Sequence, residues 1–398
     1  MLKINEVVIN YINHRLKQRK TSKRRGLAIV FDITYRCNLA CRGCGVNAKR
    51  RVTSSYRESS TDEIFLILKK IKDYQKAHLQ IPIYIYFGGG EPFMRSDLKE
   101  ILETASIFFG SENIALDTNG TIPSVDEIIE LSKYVNRIGI SIDGLEEYHN
   151  WWRNPVKESE NWHVLIEKLF TLLLNQEVRE KIEVATVATK KNICEIPELI
   201  HLLVNKGVRK FVIHRAMPVG RFSHLLNLIP NAEEYLELLR SIAELDQQFK
   251  SNVDIRLHHS LESIYISLFL NINTYDSSKV GEPDTDSCIG IDPWGNVYFD
   301  PWCMTKPWST LTGGNLLNEK TSLEQIFQQG LLAIAKSYSV PDVRCLGCAK
   351  NCSGGSRIAA AATYISNLGL KASQVTENYI LTGLTQIDPA CPLTKRKK

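Results

Sequence analysis

Cys37, Cys41 and Cys44 stand in the segment TYRCNLACRGCG with three and two residues between them, so their thiolates can converge from one loop. Thiolates hold iron–sulfur clusters, and a loop that gives three of them to a four-iron cluster leaves one iron without a protein ligand, where chemistry can happen. A structural zinc site is the competing reading, and it wants a fourth nearby Cys or His that this loop lacks. In YFGGGEP, residues 86–92, glycines let the backbone approach a ligand, and Glu91 beyond them can accept hydrogen bonds from an ammonium. DTNG at 117–120 and SIDG at 141–144 would pass for turns on their own. Arg153, in EEYHNWWRN, carries a forked guanidinium suited to a carboxylate, while Trp151 and Trp152 read as packing residues. VATVATKKN and MPVGR carry no obvious chemistry by themselves.

Short β-rich runs alternate with longer helical stretches from residue 27, the pattern of parallel strands joined by crossover helices. Strands are expected at Leu27–Thr34, Pro82–Phe87, Asn113–Asp117, Arg137–Ile142, Lys181–Ala188 and Lys210–His214. Helices are expected near 61–79, 96–108, 123–134, 159–175, 195–206 and 231–249. Six β/α units suit an α/β fold of the open, partial (β/α)6 TIM-like barrel type, whose reactive groups belong on loops after the strand C-termini. The Cys loop, the glycine-rich loop, DTNG and SIDG all fall there. After about residue 286 the texture changes to Gly, Pro and Trp around spaced cysteines, which reads as a small cysteine-rich domain built on metal. The expected division is 1–26, a basic helix or arm; 27–225, the barrel; 226–285, a bridging helical segment; and 286–398, the cysteine-rich domain.

The bulk properties are those of an ordinary folded chain. Of 398 residues, 43% are hydrophobic and 23% charged, and the net charge of +5 is too small to argue for nucleic acid. The basic runs Arg15–Arg25 and Lys395–Lys398 read as a solvated arm and tail. No apolar run approaches the ~18 residues a membrane-spanning helix requires, and no signal-peptide layout opens the chain, which points to the cytoplasm and away from membranes. In a reducing compartment, ten cysteines suggest metal or catalytic sites rather than disulfides. Cys194, without a nearby partner, reads as a buried or inert thiol.

The C-x3-C-x2-C loop after the first strand, followed by GGEP, DTNG and SIDG in that order, resembles the radical S-adenosylmethionine superfamily, and the resemblance covers most of the chain from residue 27. It implies that the open iron chelates the methionine moiety of S-adenosylmethionine. An electron from the cluster then splits the sulfonium to methionine and a 5′-deoxyadenosyl radical, which takes hydrogen from a substrate. The resemblance places Gly89, Gly90, Glu91 and Pro92 at the methionine amino group and Asn119, Ser141 and Asp143 at the ribose and carboxylate. Arg153 becomes the carboxylate partner. One position departs from the pattern: the residue before the third cysteine is usually aromatic, and here it is Gly43, so packing beside the adenine must come from elsewhere.

Cys288, Cys303, Cys345, Cys348, Cys352 and Cys391 resemble the SPASM extension, which holds two auxiliary four-iron clusters. In that pattern Cys345, Cys348, Cys352 and Cys391 fill one cluster. Cys288 and Cys303 belong to the other, where Asp300 and Ser356 stand in place of expected cysteines. The smaller twitch type would instead take Cys288, Cys303, Cys345 and Cys348 for a single cluster. Both partitions stay open, as does zinc on four of these thiolates. The resemblance implies modification of a peptide side chain or backbone by cross-linking, epimerisation or dehydrogenation, with a flavodoxin or ferredoxin as electron donor. If an auxiliary cluster does not take the electron, a free thiol such as Cys303 or Cys194 can quench the radical. The first 26 residues are too short for a leader-peptide domain, which favours a small-molecule dehydrogenase or epimerase, for example on an aminosugar, as the alternative. A non-catalytic iron–sulfur electron carrier is the reading from another class.

Overall fold

The computed structural model describes residues 6–21, 26–78, 81–249, 252–258, 288–331, 357–370, 374–384, 386, 389 and 391. Strands β1 (Leu27–Thr34), β2 (Ile83–Gly89), β3 (Ile114–Thr118), β4 (Arg137–Ser141), β5 (Ile182–Ala188), β6 (Lys210–Arg215) and β7 (Asp254–Leu257) lie side by side in chain order, each parallel to the next. This is the partial barrel of an α/β chain. The helices that cross over between strands are α2 (Thr61–Ala77), α3 (Leu98–Phe109), α4 (Val125–Leu131), α5 (Glu146–Arg153), α6 (Trp162–Leu174), α7 (Gln176–Arg179), α8 (Ile196–Asn205) and α9 (Ala232–Gln248), and α1 (Glu6–Thr21) precedes the first strand.

Side-chain alternation fixes which face of each strand meets the helices. In β1, Leu27, Ile29, Phe31 and Ile33 are wholly buried in the main apolar core. The intervening Ala28, Val30, Asp32 and Thr34 face the other way, into the barrel. The helices match that core. In α2 the buried Ile64, Ile67, Leu68 and Ile71 recur at helical spacing, and Ser60 starts the helix with a capping box, accepting from the Glu63 amide while Glu63 returns a bond to its own.

Three findings differ from the expected division. The stretch 226–285, expected as a helical bridge, contributes a seventh parallel strand, β7, which has no apolar run because Asp254 and Arg256 alternate with Ile255 and Leu257. The N-terminal segment, expected as a basic helix or arm, is the helix α1 and docks on the barrel: Val8, Tyr11 and Ile12 are buried, α1 packs on α9, the Tyr11 hydroxyl donates to the Ile255 carbonyl, and Arg15, the first residue of the run expected to be solvated, pairs with Asp254 at 2.6 Å. The cysteine-rich part does not begin as a separate layer. β8 (Cys288–Ile291) pairs in parallel with β1, and β9 (Asn296–Tyr298) and β10 (Thr312–Asn315) continue the same sheet antiparallel, giving the order β10-β9-β8-β1-β2-β3-β4-β5-β6-β7. Cys345, Cys348, Cys352 and Ser356 lie outside the described residues.

Candidate functional site

The loop after β1 brings Cys37, Cys41 and Cys44 into one apolar cluster with Leu39, Val46 and Ala48. Hydrogen-bond donors are aimed at the sulfurs. The Leu39 amide reaches Cys37 Sγ at 3.4 Å, the Ala48 amide reaches Cys44 Sγ at 3.3 Å, and Asn119 Nδ2 and Arg153 Nη1 stand 3.8 and 3.9 Å from Cys37 and Cys41. Burial pushes the Cys37 thiol up to about 12, the Leu39 amide pulling against it, so this sulfur is a thiolate only with a metal to hold its charge. Among the described residues no three His, Cys, Asp or Glu side chains close to single-ion distance. A four-iron cluster asks for something different, thiolates spread over separate irons, and a donor-lined thiol triad fits that group.

The glycine-rich loop seats this loop from below. The Gly90 amide donates to the Thr34 carbonyl at 2.7 Å and the Glu91 amide to the Arg36 carbonyl at 2.9 Å. A Cβ on Gly89, whose φ is +112°, or on Gly90 would strike those same carbonyls, so close backbone approach is what requires glycine. Glu91 itself is fully buried and turned inward. Its carboxylate accepts from the Thr118 hydroxyl (2.7 Å), the Asn119 amide (2.7 Å) and the Phe93 amide (3.2 Å), tying the ends of β2 and β3 together. Asn119 passes the connection on, donating from Nδ2 to Asn38 Oδ1 at 2.9 Å beside Cys37.

SIDG and the helix α5 form the opposite wall. Asp143, fully buried, accepts from Arg153 Nε at 2.5 Å through one oxygen and from the Val187 amide at 2.8 Å through the other. Its own amide lies against His149 Nδ1 at 3.3 Å. Burial, with Arg153 beside it, keeps that imidazole neutral by holding its pKa well below the ordinary value. Ser141 ends β4, half-buried, on the strand face it shares with Gly139. Thus Cys37, Cys41, Cys44, Gly89, Gly90, Glu91, Asn119, Asp143 and Arg153 are gathered at one end of the barrel, with Ser141 at its rim.

The space above Gly43 is taken by Trp152 and Phe222, which meet edge to face with ring centroids 5.6 Å apart. A Cβ on Gly43 would run into both rings. The aromatic group missing from the loop is therefore supplied by α5 and by the turn after β6, a pairing that long sequence separation hid. Arg221, in that same turn, was also missed. Its amide donates to the Cys44 carbonyl (2.9 Å), Nε to the Cys41 carbonyl (2.8 Å) and Nη1 to the Ala48 carbonyl (2.7 Å).

Farther along the sheet, Asp300 lies near enough to Cys288 and Cys303 for its charge to act on both thiols, and burial pushes its own carboxyl up to about 6. Cys303 is wholly buried among Met217, Val219, Tyr298 and Trp308, and Cys391 is half-buried. Cys194, expected as a buried or inert thiol, is exposed. The cysteine-rich part touches the loop of the triad beside Cys44, with the Thr305 hydroxyl 3.4 Å from the Gly45 carbonyl and Trp302 lying over Gly45.

Inside the barrel the strand register aligns Asp117, Gly139 and Glu183. Arg137 bridges Asp117 at 2.7 Å and Glu183 at 2.5 Å, and Arg256 also pairs with Glu183. Burial alone would raise the Glu183 carboxyl, but the two guanidiniums hold it down at about 2. The lining is charged with both signs and partly open, the Asp117 and Arg256 side chains being 46% and 34% exposed.

Comparison with known proteins agrees with this geometry. The chain is 29% identical over 214 residues to the AdoMet-dependent heme synthase of Oleidesulfovibrio alaskensis, a match spanning 53% of this chain and 51% of that protein. It is 24% identical over 404 residues to the Fe-coproporphyrin III synthase of Methanosarcina barkeri, spanning 94% and 90%. It is 28% identical over 296 residues to the mycofactocin maturase MftC of Mycolicibacterium smegmatis, spanning 74% and 68%. The fold superimposes on Streptococcus suis SuiB bound to S-adenosylmethionine with a TM-score of 0.65 at 16% identity, covering 97% of this chain and 82% of that one. No helix of the described residues is long and apolar enough to cross a membrane. The Radical SAM superfamily model matches residues 31–203, from within β1 into α8, so the stretch that carries the Cys37, Cys41 and Cys44 loop is a Radical SAM domain.

Proposed function

We propose that the chain holds a 4Fe-4S cluster on Cys37, Cys41 and Cys44, binds S-adenosylmethionine on its open iron, and acts on a peptide. One observation carries the reading: the three thiols lie at the strand ends beside Asn119, Asp143 and Arg153, with hydrogen-bond donors already pointed at the sulfurs. The cluster and its ligand, when bound, supply one-electron cleavage of the sulfonium and hydrogen abstraction from the substrate, with a flavodoxin or ferredoxin as reductant.

The chain's own groups do the rest. Asn119 and Arg153 place positive hydrogens near Cys37 and Cys41, which favours the thiolate form. Arg153, held by Asp143, is oriented to meet a carboxylate. Because the Glu91 carboxylate is spent on Thr118, Asn119 and Phe93, it braces the loop, and the methionine ammonium is left to the backbone carbonyls of Gly89 and Gly90. Trp152 and Phe222 offer the apolar wall for the adenine. Cys288 and Cys303, with Asp300 near both, are proposed ligands of one auxiliary cluster; Cys345, Cys348, Cys352 and Cys391 would fill a second, or Cys345 and Cys348 would complete the first.

A peptide suits a barrel in which Asp117 and Arg256, at the open edges of the ion-pair network on Arg137 and Glu183, can meet ammonium and carboxylate groups together. Relatives include PqqA peptide cyclase and the mycofactocin maturase, and SuiB has been solved bound to the precursor peptide SuiA. A tetrapyrrole is the second reading. It is favoured by the span of the match to Fe-coproporphyrin III synthase and by two guanidiniums able to pair with propionates.

Anaerobically reconstituted protein given dithionite and S-adenosylmethionine is expected to form 5′-deoxyadenosine, and to form it faster with a precursor-type peptide than with Fe-coproporphyrin III. Faster turnover with the porphyrin would transfer the assignment to the second reading. No 5′-deoxyadenosine under any condition would refute both.

A further inference from the structure

Arg221 is 177 or more residues away from every cysteine of the triad in sequence, yet it is bound to their loop from Cys41 to Ala48. The turn that carries it is built for close approach. Gly220 has φ +56°, and a Cβ there would collide with the carbonyls of Cys44 and Gly45. That approach lets the Arg221 amide take the Cys44 carbonyl while Nε and Nη1 take Cys41 and Ala48. Three carbonyls of one loop are thereby fixed by one residue.

The second terminal nitrogen is the informative atom. Arg221 Nη2 is buried and has no hydrogen-bond partner among the described residues. A buried charged donor left unpaired costs more than a neutral one, so such an atom points to an acceptor that completes it. Arg153, the other guanidinium near Cys41, already meets a carboxylate in Asp143, whereas among the described residues no carboxylate pairs with Arg221. Its positive charge therefore faces the thiol pocket uncompensated.

We propose that Arg221 is a positioning residue of the cluster pocket, clamping the triad loop at Cys41, Cys44 and Ala48 and presenting its remaining N–H to an anionic acceptor in that pocket. The inference rests on the cluster assigned above. The acceptor chemistry has two sources, the anionic edge of the reduced cluster beside Cys41 and the carboxylate of S-adenosylmethionine. In the first case the N–H and its charge favour the reduced state, since cluster potentials follow local charge and hydrogen bonds to sulfur.

The test compares wild type with Arg221→Gln and Arg221→Lys by iron per chain, by EPR-monitored redox titration without S-adenosylmethionine, and by the affinity for S-adenosylmethionine. Iron retained with a midpoint displaced negative in Arg221→Gln, by about tenfold in the reduction equilibrium or about 59 mV for one electron, assigns the N–H to the cluster. An unmoved midpoint with affinity weakened about tenfold or more assigns it to the carboxylate. Iron, midpoint and affinity all equal to wild type overturn the proposal. If Arg221→Gln does not retain iron, Arg221→Lys decides: it keeps the charge without the fork, and is expected to hold iron with an intermediate midpoint or affinity, whereas wild-type values of both overturn the proposal. Wild-type iron and 5′-deoxyadenosine report on the underlying cluster assignment separately, because their absence would sink that assignment before any variant is compared.

Discussion

At the scale of single residues the site is a set of buried polar groups that hold one another. Glu91 shows the consequence most clearly. Burial pushes its carboxyl up to about 7, although the Asn119 amide, the Thr118 hydroxyl and the Phe93 amide pull it down. In the unfolded chain the same group titrates near its ordinary value, about 4.3. A folded pKa raised in this way means that the stability Glu91 lends is complete below the unfolded value and is lost as pH rises through about 7. Glu91→Gln cannot titrate and places an NH2, with two N–H donors, where one carboxylate oxygen accepts from groups that donate. Its melting temperature is expected to lie below wild type at pH 5 and to close part of that gap by pH 8. A gap that does not change with pH would show that Glu91 stays ionised throughout. Little of this was legible beforehand, because the sequence displays GGEP as a ligand-contacting loop and gives no sign that the carboxylate turns inward toward Thr118 and Asn119.

At the scale of elements, the strands were legible and two of the site's walls were not. Expected and observed strands agree to within about two residues because parallel strands buried on both faces read as continuous apolar runs, as in Leu27–Thr34. β7 escaped because half of its four residues are charged groups facing the barrel. α5 escaped because EEYHNWWR is short, and its burial of Tyr148, His149 and Trp152 serves the site more than a regular apolar stripe. Gly43 was legible as a departure, but its remedy depends on α5 and the turn after β6 coming together over the Cys loop. The arrangement can be tested as a coupled pair. Trp152→Ala is expected to cost about 3–5 kcal/mol, as for large aromatic truncations. Gly43→Tyr should destabilise through collision with Trp152 and Phe222. The double variant should recover part of the loss, a favourable coupling measurable by denaturant unfolding. Simple additivity would mean that the two positions do not share the space.

At the scale of the whole molecule, one ten-stranded sheet joins the barrel to the cysteine-rich part, with β8 against β1 and Thr305 and Trp302 against the triad loop. The change of texture near residue 286 was visible in the sequence. Its continuation of the barrel sheet was not, since pairing partners far apart in the chain leave no local signal. The central property is a cluster on the triad at the barrel's end with an iron open to S-adenosylmethionine. The direct measurement is low-temperature EPR of anaerobic, reduced protein before and after S-adenosylmethionine is added, in wild type and in the Cys37/Cys41/Cys44 triple alanine variant. The wild-type signal is predicted to change on addition, and any signal left in the variant, from auxiliary clusters alone, to be indifferent to it. A wild-type spectrum that does not respond, or a variant that responds equally, would contradict the assignment.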